Sequence, residues 1–450
     1  MRRSARPPAR TNGLGTVRRS MRPYGSGAKR GANRSVNPSF SETWISVGLM
    51  LQVPAFRHED EYWVAEPDGL TSRARMAEAS GAYRSAVPPL IEDWAPVLAA
   101  DIAADTEEAA AALGRFDAYA RAVLGETSPS LGPMSSILLR TESTSSSQIE
   151  NLTVGARQLA LAELDQSTSD NARTVVANVH AMEAALDLAD HLDTAAVLEM
   201  HRALLSGQRG WEHHAGQWRD QLVWIGTSSV SPRGASHVAP QAGLVPGAME
   251  DLMRFVRRDD LPVVVQAAVA HAHFENIHPF SDGNGRTGRA LVHAMFRAKR
   301  LVTCTTAPVS AGLLKDTDGY FAALSAYRDG DARPIVEQFS GAARFAAAAG
   351  ARLIDDLAAQ IEVSRDKMSG LRSQASAWKV LPHLLSHPVL NANYLSAQLG
   401  MGAQSAQNAL GQLVDAGVLE ERTGLRRNRV WQHPGILGVL DHFAQSLIRA

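Results

Sequence analysis

From about residue 90 to about residue 365 the chain repeats apolar residues at three- and four-residue spacing, with two long interruptions. That period restricts the fold to packed helices. Residues 90–205 are rich in Ala and Leu, and Thr106–Leu124 and Arg173–Ala189 carry the period most clearly. Residues 206–245 change character. There Gly, Trp, Ser and Pro interleave with short runs such as Gln221–Ile225, which reads as an irregular loop holding a small hairpin. The helical pattern returns at Ala248–Phe274, breaks at Pro279–Gly285 and resumes through Arg300, with more helices to about 365. The expected class is mainly α, a helical bundle with a small β-hairpin. No solenoid-type internal repeat is present.

Composition narrows the function classes. The 450 residues allow two to four domains at roughly 100–200 residues each. Hydrophobic residues at 45% and charged residues at 20% suit a soluble globular chain and exclude a collagen-like one. No apolar run of about 18 residues occurs, so no membrane span is expected. The single cysteine, Cys304, excludes an internal disulfide and a thiolate metal cluster. A cytoplasmic setting fits this, with Cys304 a structural thiol. The net charge of −1 hides an asymmetry: residues 1–40 hold ten Lys and Arg and no acidic residue, which leaves 35 basic against 46 acidic residues in 41–450. Residues 1–40 read as a disordered basic extension. A transit segment or a start placed too far upstream, with Met21 and Met50 as later candidates, are its alternatives. The acidic remainder argues against a nucleic-acid binder over the whole chain.

The stretch that carries chemistry is His278-Pro-Phe-Ser-Asp-Gly-Asn-Gly-Arg-Thr-Gly-Arg289. A turn between two helices explains Pro279, Asp282, Gly283 and Asn284, with Asp282 or Asn284 able to cap the next helix. It does not explain Arg286 and Arg289. They lie three apart in the first turns of that helix, where cations oppose the helix dipole by about 0.3–1 kcal/mol each. An anion at that end resolves the conflict: N–H groups of a Gly-Asn-Gly turn and two guanidiniums cradle phosphate oxygens. The dinucleotide fingerprint that Gly283, Gly285 and Gly288 also spell fails, because a helix precedes it and Leu301–Thr306 supplies no acidic residue. No Walker lysine motif occurs. His278 at the lip of the nest is placed to take a proton from a hydroxyl. Asp282 can hold a Mg²⁺ that bridges phosphates. Together these make a phosphoryl- or nucleotidyl-transfer site. The rival, a metal held by His271, His273 and His278, is weak, since residues two apart do not share a helix face.

With these residues in view, His278–Arg289 resembles the signature of the Fic family, His-Pro-Phe-x-Asp/Glu-Gly-Asn-Gly-Arg-x-x-Arg, at every defining position. The resemblance implies a Fic-type helical bundle with a β-hairpin flap and transfer of AMP from ATP to a Ser, Thr or Tyr hydroxyl of a target protein. It implies His278 as base, Asp282 as Mg²⁺ ligand, and Gly283, Asn284 and Gly285 around the α- and β-phosphates, Asn284 through its side chain. Arg286 would take the β-phosphate side and Arg289 the γ-phosphate. Phe280 would be a buried anchor. Residues 216–240 resemble the flap that aligns the target by strand addition. Tyr320-Phe321 resembles a segment lining the adenine pocket, or is plain core. A homodimer is also compatible with the family.

Ser146-Ser-Gln-Ile-Glu150-Asn151 resembles the inhibitory helix motif, Ser/Thr-x-x-x-Glu-Gly/Asn, and its place upstream of the core fits the class with an N-terminal inhibitory helix. Ser146 and Glu150, four apart, share a helix face. Glu150 would then pair with Arg289 and occupy the charge that the γ-phosphate needs. Residues 84–92 resemble the helical segment found before this motif. The resemblance covers about 60–345.

Residues 376–433 resemble a winged helix-turn-helix: a helix at Tyr394–Gly400, a turn at Met401–Gln404, a second helix at Ser405–Ala416 and a wing carrying Arg422, Arg426, Arg427 and Arg429. DNA through this module and a protein contact are both open, since the second helix carries no Lys or Arg. The organisation expected is thus 1–40 extension, 41–190 helical region with the inhibitory helix, 191–345 catalytic core and 376–433 winged module. The leading reading is a self-inhibited AMP transferase using ATP and Mg²⁺. The alternatives are a DNA-binding regulator with a nucleotide-sensing pocket, and a Fic-type site that removes AMP or transfers another phosphate-containing group.

Overall fold

A computed structural model describes residues 51–65, 72–124, 131–208, 210–422 and 429–448. The basic extension and the wing tip at 423–428, with Arg426 and Arg427, lie outside these residues. The chain is mainly helical with small antiparallel sheets. Two long Ala-rich helices frame it, α2 (Ala100–Leu124) and the 35-residue α12 (Arg333–Lys367). Alanine costs least in a helix, and its small side chain lets two such helices lie close.

Between α2 and α12 come the elements that build the site. They are α3 (Leu131–Ile149), α4 (Ala156–Glu163), α5 (Asp170–Asp187), α6 (Thr194–Leu205), α7 (Val245–Arg257), α8 (Val263–Ile277), α9 (Asn284–Ala298), α10 (Val309–Leu314) and α11 (Thr317–Arg328). Helix α8 is buried on every face from Val264 to Ile277, its polar side chains included, as a central helix is. The helical pattern read as continuous over Ala248–Phe274 is in fact two helices. It breaks at Arg258–Pro262, where the Pro262 ring cannot continue the preceding turn.

The N-terminal region departs from the helical expectation. Strand β1 (Arg57–Trp63) pairs antiparallel with β2 (Gly81–Val87), from Arg57 opposite Val87 to Trp63 opposite Gly81, with the short helix α1 (Arg73–Ala79) between them. Residues 84–92, expected to be helical, continue β2 to Val87 and then run irregularly. Pro88 and Pro89 supply no N–H for a helix, and the strand alternates exposed and covered side chains. The expected hairpin does form at β3 (Trp224–Ile225) and β4 (His237–Val238), and the β1–β2 ribbon packs beside it. The Trp63 indole donates to the Val230 carbonyl at 2.9 Å and meets Trp224 edge-on at 5.4 Å.

The C-terminal part comprises α13 (Ala377–Val380), α14 (His383–Ser386), β5 (Val389–Leu390), α15 (Ala392–Leu399), α16 (Ala403–Asp415), β6 (Glu420–Glu421), β7 (Trp431–Gln432) and α17 (Pro434–Ile448). The strands form one antiparallel sheet in the order β5-β7-β6. Strand β5 and helix α17 were not foreseen, and the module does not end at 433. Nor is it appended loosely. Helix α14 packs on α3, and the Asp441 carboxylate on α17 accepts the Ala156 N–H at the start of α4 at 3.1 Å. The described wing arginines face carboxylates: Arg429 grips Glu421 and lies over Trp431, and Arg422 sits 3.7 Å from Glu420. Cys304 is a free thiol, half-buried, its Sγ 3.2 Å from Asp117 Oδ1.

Candidate active site

Helix α8 ends because His278 takes a left-handed conformation, φ 52°, with its N–H closing on the Phe274 carbonyl at 2.9 Å. The imidazole Nδ1 lies 3.3 Å from the Glu275 carbonyl. A carbonyl oxygen only accepts, so Nδ1 carries the proton and Nε2 is the basic nitrogen. Two residues on, Phe280 is fully buried, stacked on His201 at 3.6 Å and on Trp218 at 5.1 Å. This is the anchor expected. The Asn284 side chain accepts the Phe280 N–H and donates to the Phe280 carbonyl, both at 2.8 Å. Both bonds fix the loop, and the second amide N–H is left over as a donor for an oxyanion.

Gly283 precedes α9 at φ 79°, and a Cβ there would stand 2.7 Å from Leu204. Both facts demand glycine. Gly283→Ala should therefore cost about 1–2 kcal/mol from the left-handed backbone alone, with the Leu204 clash added. A fall in the thermal midpoint of the whole chain measures it, and an unchanged midpoint would contradict the geometry.

Arg286 is the clearest sign of an anion site. Its side chain is 5% exposed and its Nη2 meets Asp282 Oδ2 at 3.1 Å. Its Nε and Nη1 are buried with no hydrogen-bond partner among the described residues. Buried guanidinium donors are costly to leave unmade, and at the first turn of α9 these can take an anion. Glu150, Trp224, Ile225, His278, Asp282 and Arg286 all line one cleft of about 280 Å³.

Arg289 is committed. Its Nε donates to Ser146 Oγ and its Nη2 to the Ser146 carbonyl, both at 2.8 Å, and Nη2 also meets Glu150 Oε1 at 3.2 Å. Burial opposes the Arg289 charge. The carboxylates around it, Glu150 foremost, more than offset this and hold its pKa above the ordinary arginine value. Glu150 lies just past the end of α3, where Asn151 adopts φ 62° and the Leu152 N–H returns to the Ser147 carbonyl. Asn and Gly tolerate that conformation best, which accounts for Asn151 after the glutamate. The carboxylate rests on the first turn of α9: a Cβ on Gly285 would collide with Glu150 Oε1. Glu150 therefore holds the end of the helix dipole that an anionic ligand would use.

Sequence reading missed Arg219. Its buried guanidinium ties the backbone at Gln221 and Pro240 to the loop that follows α8. Nε donates to the His278 carbonyl at 2.8 Å, Nη1 to Gln221 at 2.9 Å and Nη2 to Pro240 at 2.6 Å. An arginine inside a Gly- and Trp-rich loop was the available signal, because a lone cation there needs fixed acceptors. Tyr320 proves to be core: its hydroxyl meets His271 at 2.7 Å, while His273 meets the Tyr327 hydroxyl at 3.0 Å. These contacts turn the two imidazoles to separate tyrosines and away from any shared ligand with His278.

Burial holds His201, His237, His271 and His273 at a pKa of about 3 each. All four are therefore neutral in the folded chain, whereas the unfolded chain takes up protons below about 6.5. Stability is full above 6.5 and falls as pH drops from 6.5 towards 3, by at most about 1.4 kcal/mol per pH unit for each histidine. Urea midpoints measured from pH 7 to pH 4 should fall steeply, and a flat profile between 6.5 and 5 would contradict these burials.

The family model described as Fic/DOC family matches residues 191–296, and the Fic/DOC family N-terminal model matches residues 103–187. Over residues 103–187 and 191–296 the chain is similar to the Fic/DOC family. Among curated relatives, Protein adenylyltransferase Fic of Drosophila yakuba is 31% identical over 143 residues, 31% of this chain and 26% of that protein. Protein adenylyltransferase fic-1 of Caenorhabditis elegans is 28% identical over 150 residues, 33% of this chain and 26% of that protein. The match spans about a quarter of these relatives' length. Among solved structures, a Fic family protein from Desulfovibrio desulfuricans G20 aligns at 24% identity and a TM-score of 0.46, over 75% of this chain and 97% of that one. Fic-1 from C. elegans aligns at 20% identity and a TM-score of 0.42, over 57% and 73%.

Proposed function

We propose that this chain transfers AMP from ATP to a hydroxyl side chain of a target protein and that Glu150 holds it inactive. One observation carries the reading: Glu150 lies on Arg289 and Gly285, at the anion-binding end of the helix whose Arg286 keeps unmade donors. A brake of this kind has meaning only where a phosphate chain is to be placed. His278 Nε2 takes the proton of the incoming hydroxyl. The hydroxyl oxygen bonds to the α-phosphorus, and the bond to pyrophosphate breaks. Arg286 and the N–H groups from Gly283 onward hold the phosphate oxygens where negative charge develops.

Among the described residues no three His, Cys, Asp or Glu side chains gather as a ready-made metal site. Mg²⁺ needs none, since it binds one or two carboxylates together with substrate phosphates. The partly exposed Asp282 carboxylate, beside the two unmade donors of Arg286, fits that requirement. Mg²⁺ held there would neutralise phosphate charge. With Glu150 on Arg289, ATP can enter only in a shifted pose, its α-phosphorus misplaced for in-line attack.

The label that reaches protein tests the reaction. In the Glu150→Gly chain with Mg²⁺, ATP labelled in the α-phosphate should mark protein and ATP labelled in the γ-phosphate should not. Marking from γ-label would mean phosphoryl transfer. No marking from either would turn the reading to AMP removal or another donor.

For the C-terminal part, α15 and α16, joined through Gly400 and bracketed by a three-stranded sheet whose β5 precedes them and whose β6 and β7 follow, support the winged helix-turn-helix reading. Helix α16 exposes Gln404, Ser405, Gln407 and Asn408. The carboxylates against Arg422 and Arg429 weaken the case for a DNA backbone contact, and a protein contact is the better reading of this face.

A further inference from the structure

Helix α3 changes character along its length. Its first half is anchored by apolar burial, through Met134, Ile137, Leu138 and Leu139. From Arg140 to Gln148 it carries no apolar side chain. Yet Glu142, Ser143, Ser145, Ser146 and Ser147 are all buried. A buried serine removes little apolar surface from water, so directional hydrogen bonds set where this half of the helix lies. Glu142 supplies the upstream hold. It meets the His293 imidazole on α9 at 2.9 Å and accepts the Ser310 N–H on α10 at 2.9 Å. Beyond it, Arg289 holds Ser146 and Glu150, and that is the contact a phosphate chain would compete for.

Asn178 on α5 holds the same turns from a face one residue further round, about 100° away. It is fully buried. Its amide donates to the Ser143 carbonyl at 2.9 Å and to the Ser147 hydroxyl at 3.1 Å. Ser143 and Ser147 lie one turn apart on one face, so a single amide spans the turn that carries Ser146. The Asn178 Oδ1 is buried with no hydrogen-bond partner among the described residues. A buried unmade acceptor costs stability, and an apolar residue would avoid that cost. The asparagine therefore serves position rather than stability.

We infer that Asn178 is a positioning residue of the brake: its amide sets the end of α3 so that Glu150 lies on Arg289. The inference rests on the braking role given to Glu150. Asn178 does not line the catalytic cleft, so it acts on transfer only through α3. When a nucleotide competes for Arg289, the amide keeps the last turns of α3 in place, and its loss weakens the brake while leaving the catalytic loop intact.

The test uses the full chain carrying Asn178→Ala, alone and combined with Glu150→Gly, with α-labelled ATP and Mg²⁺. Asn178→Ala alone should raise the initial rate of label incorporation about tenfold, the worth of two ordinary hydrogen bonds, and so less than Glu150→Gly does. In the Glu150→Gly background it should change the rate by less than about twofold, because no brake remains to position. A merely structural role would lower the rate in both backgrounds. Amide hydrogen exchange at residues 146–152 should quicken about tenfold in Asn178→Ala, with exchange along α8 unchanged. Ser147→Ala removes one of the two bonds from the α3 side and serves if Asn178→Ala melts early; it should raise the rate about threefold. An unchanged or lowered rate in the folded variants, while Glu150→Gly transfers AMP, overturns the inference, and so does an equal rise in both backgrounds. If Glu150→Gly transfers no AMP, the proposed reaction fails instead and exchange decides. Faster exchange confined to residues 146–152 then keeps Asn178 as the residue that positions Glu150, and unchanged exchange overturns it.

Discussion

The Glu150→Gly chain should transfer AMP on the order of a hundredfold faster than the unmodified chain. The pair it breaks is nearly dry: the Arg289 side chain is 3% exposed and that of Glu150 19%. Breaking a buried pair costs roughly 3–5 kcal/mol when the remaining charge is stranded. Arg289 is not stranded here, because Ser146 still accepts two of its hydrogen bonds. The guanidinium therefore stays in place while the carboxylate leaves the first turn of α9. If the competent ATP pose lies about 3 kcal/mol above the blocked one, removing the block returns roughly two orders of magnitude in rate. Initial rates of α-label incorporation measure this. Glu150→Gln should release less, since it keeps the bulk against Gly285 while losing the charge.

His278→Ala in the Glu150→Gly background should lower transfer by roughly 10²- to 10⁴-fold, the usual contribution of a positioned general base. His278 sits at φ 52°, a conformation that costs an alanine about 1–2 kcal/mol. His278→Asn, which tolerates that backbone, separates lost chemistry from strain. Both variants should bind ATP as the parent does, because Arg286, Arg289 and the nest are untouched. Restored activity in the Asn variant would assign His278 to shaping the loop.

How much of this was legible in the sequence depended on how local the signal was. The helical period placed α2 and α5, and the Gly- and Asn-rich turn located the catalytic loop, because each is written in residues adjacent along the chain. Arg286 and Arg289 could be read as an anion cradle because cations at a helix start demand a reason. Residues 84–92 were misread as helical, since the partner that makes them a strand, β1, lies some twenty residues away in a segment with no clear alternation. The break at Pro262 was there to be seen but was outweighed by apolar residues on both sides. Two roles could not be read at all. The Asn284 amide and the Arg219 guanidinium both act on backbone groups brought near by folding, and backbone acceptors leave no trace in residue type. The docking of α14 on α3, and of α17 on α4 and α12, was hidden for the same reason.

The central claim is that one carboxylate separates a complete catalytic site from its activity. The most direct test is a side-by-side time course with α-labelled ATP and Mg²⁺ for the unmodified chain, Glu150→Gly and Glu150→Gly/His278→Ala. Strong label in Glu150→Gly, little in the unmodified chain and little in the double variant is the result expected. Equal label in the first two chains would show that Glu150 is no brake, and label persisting in the third would show that His278 is not the base.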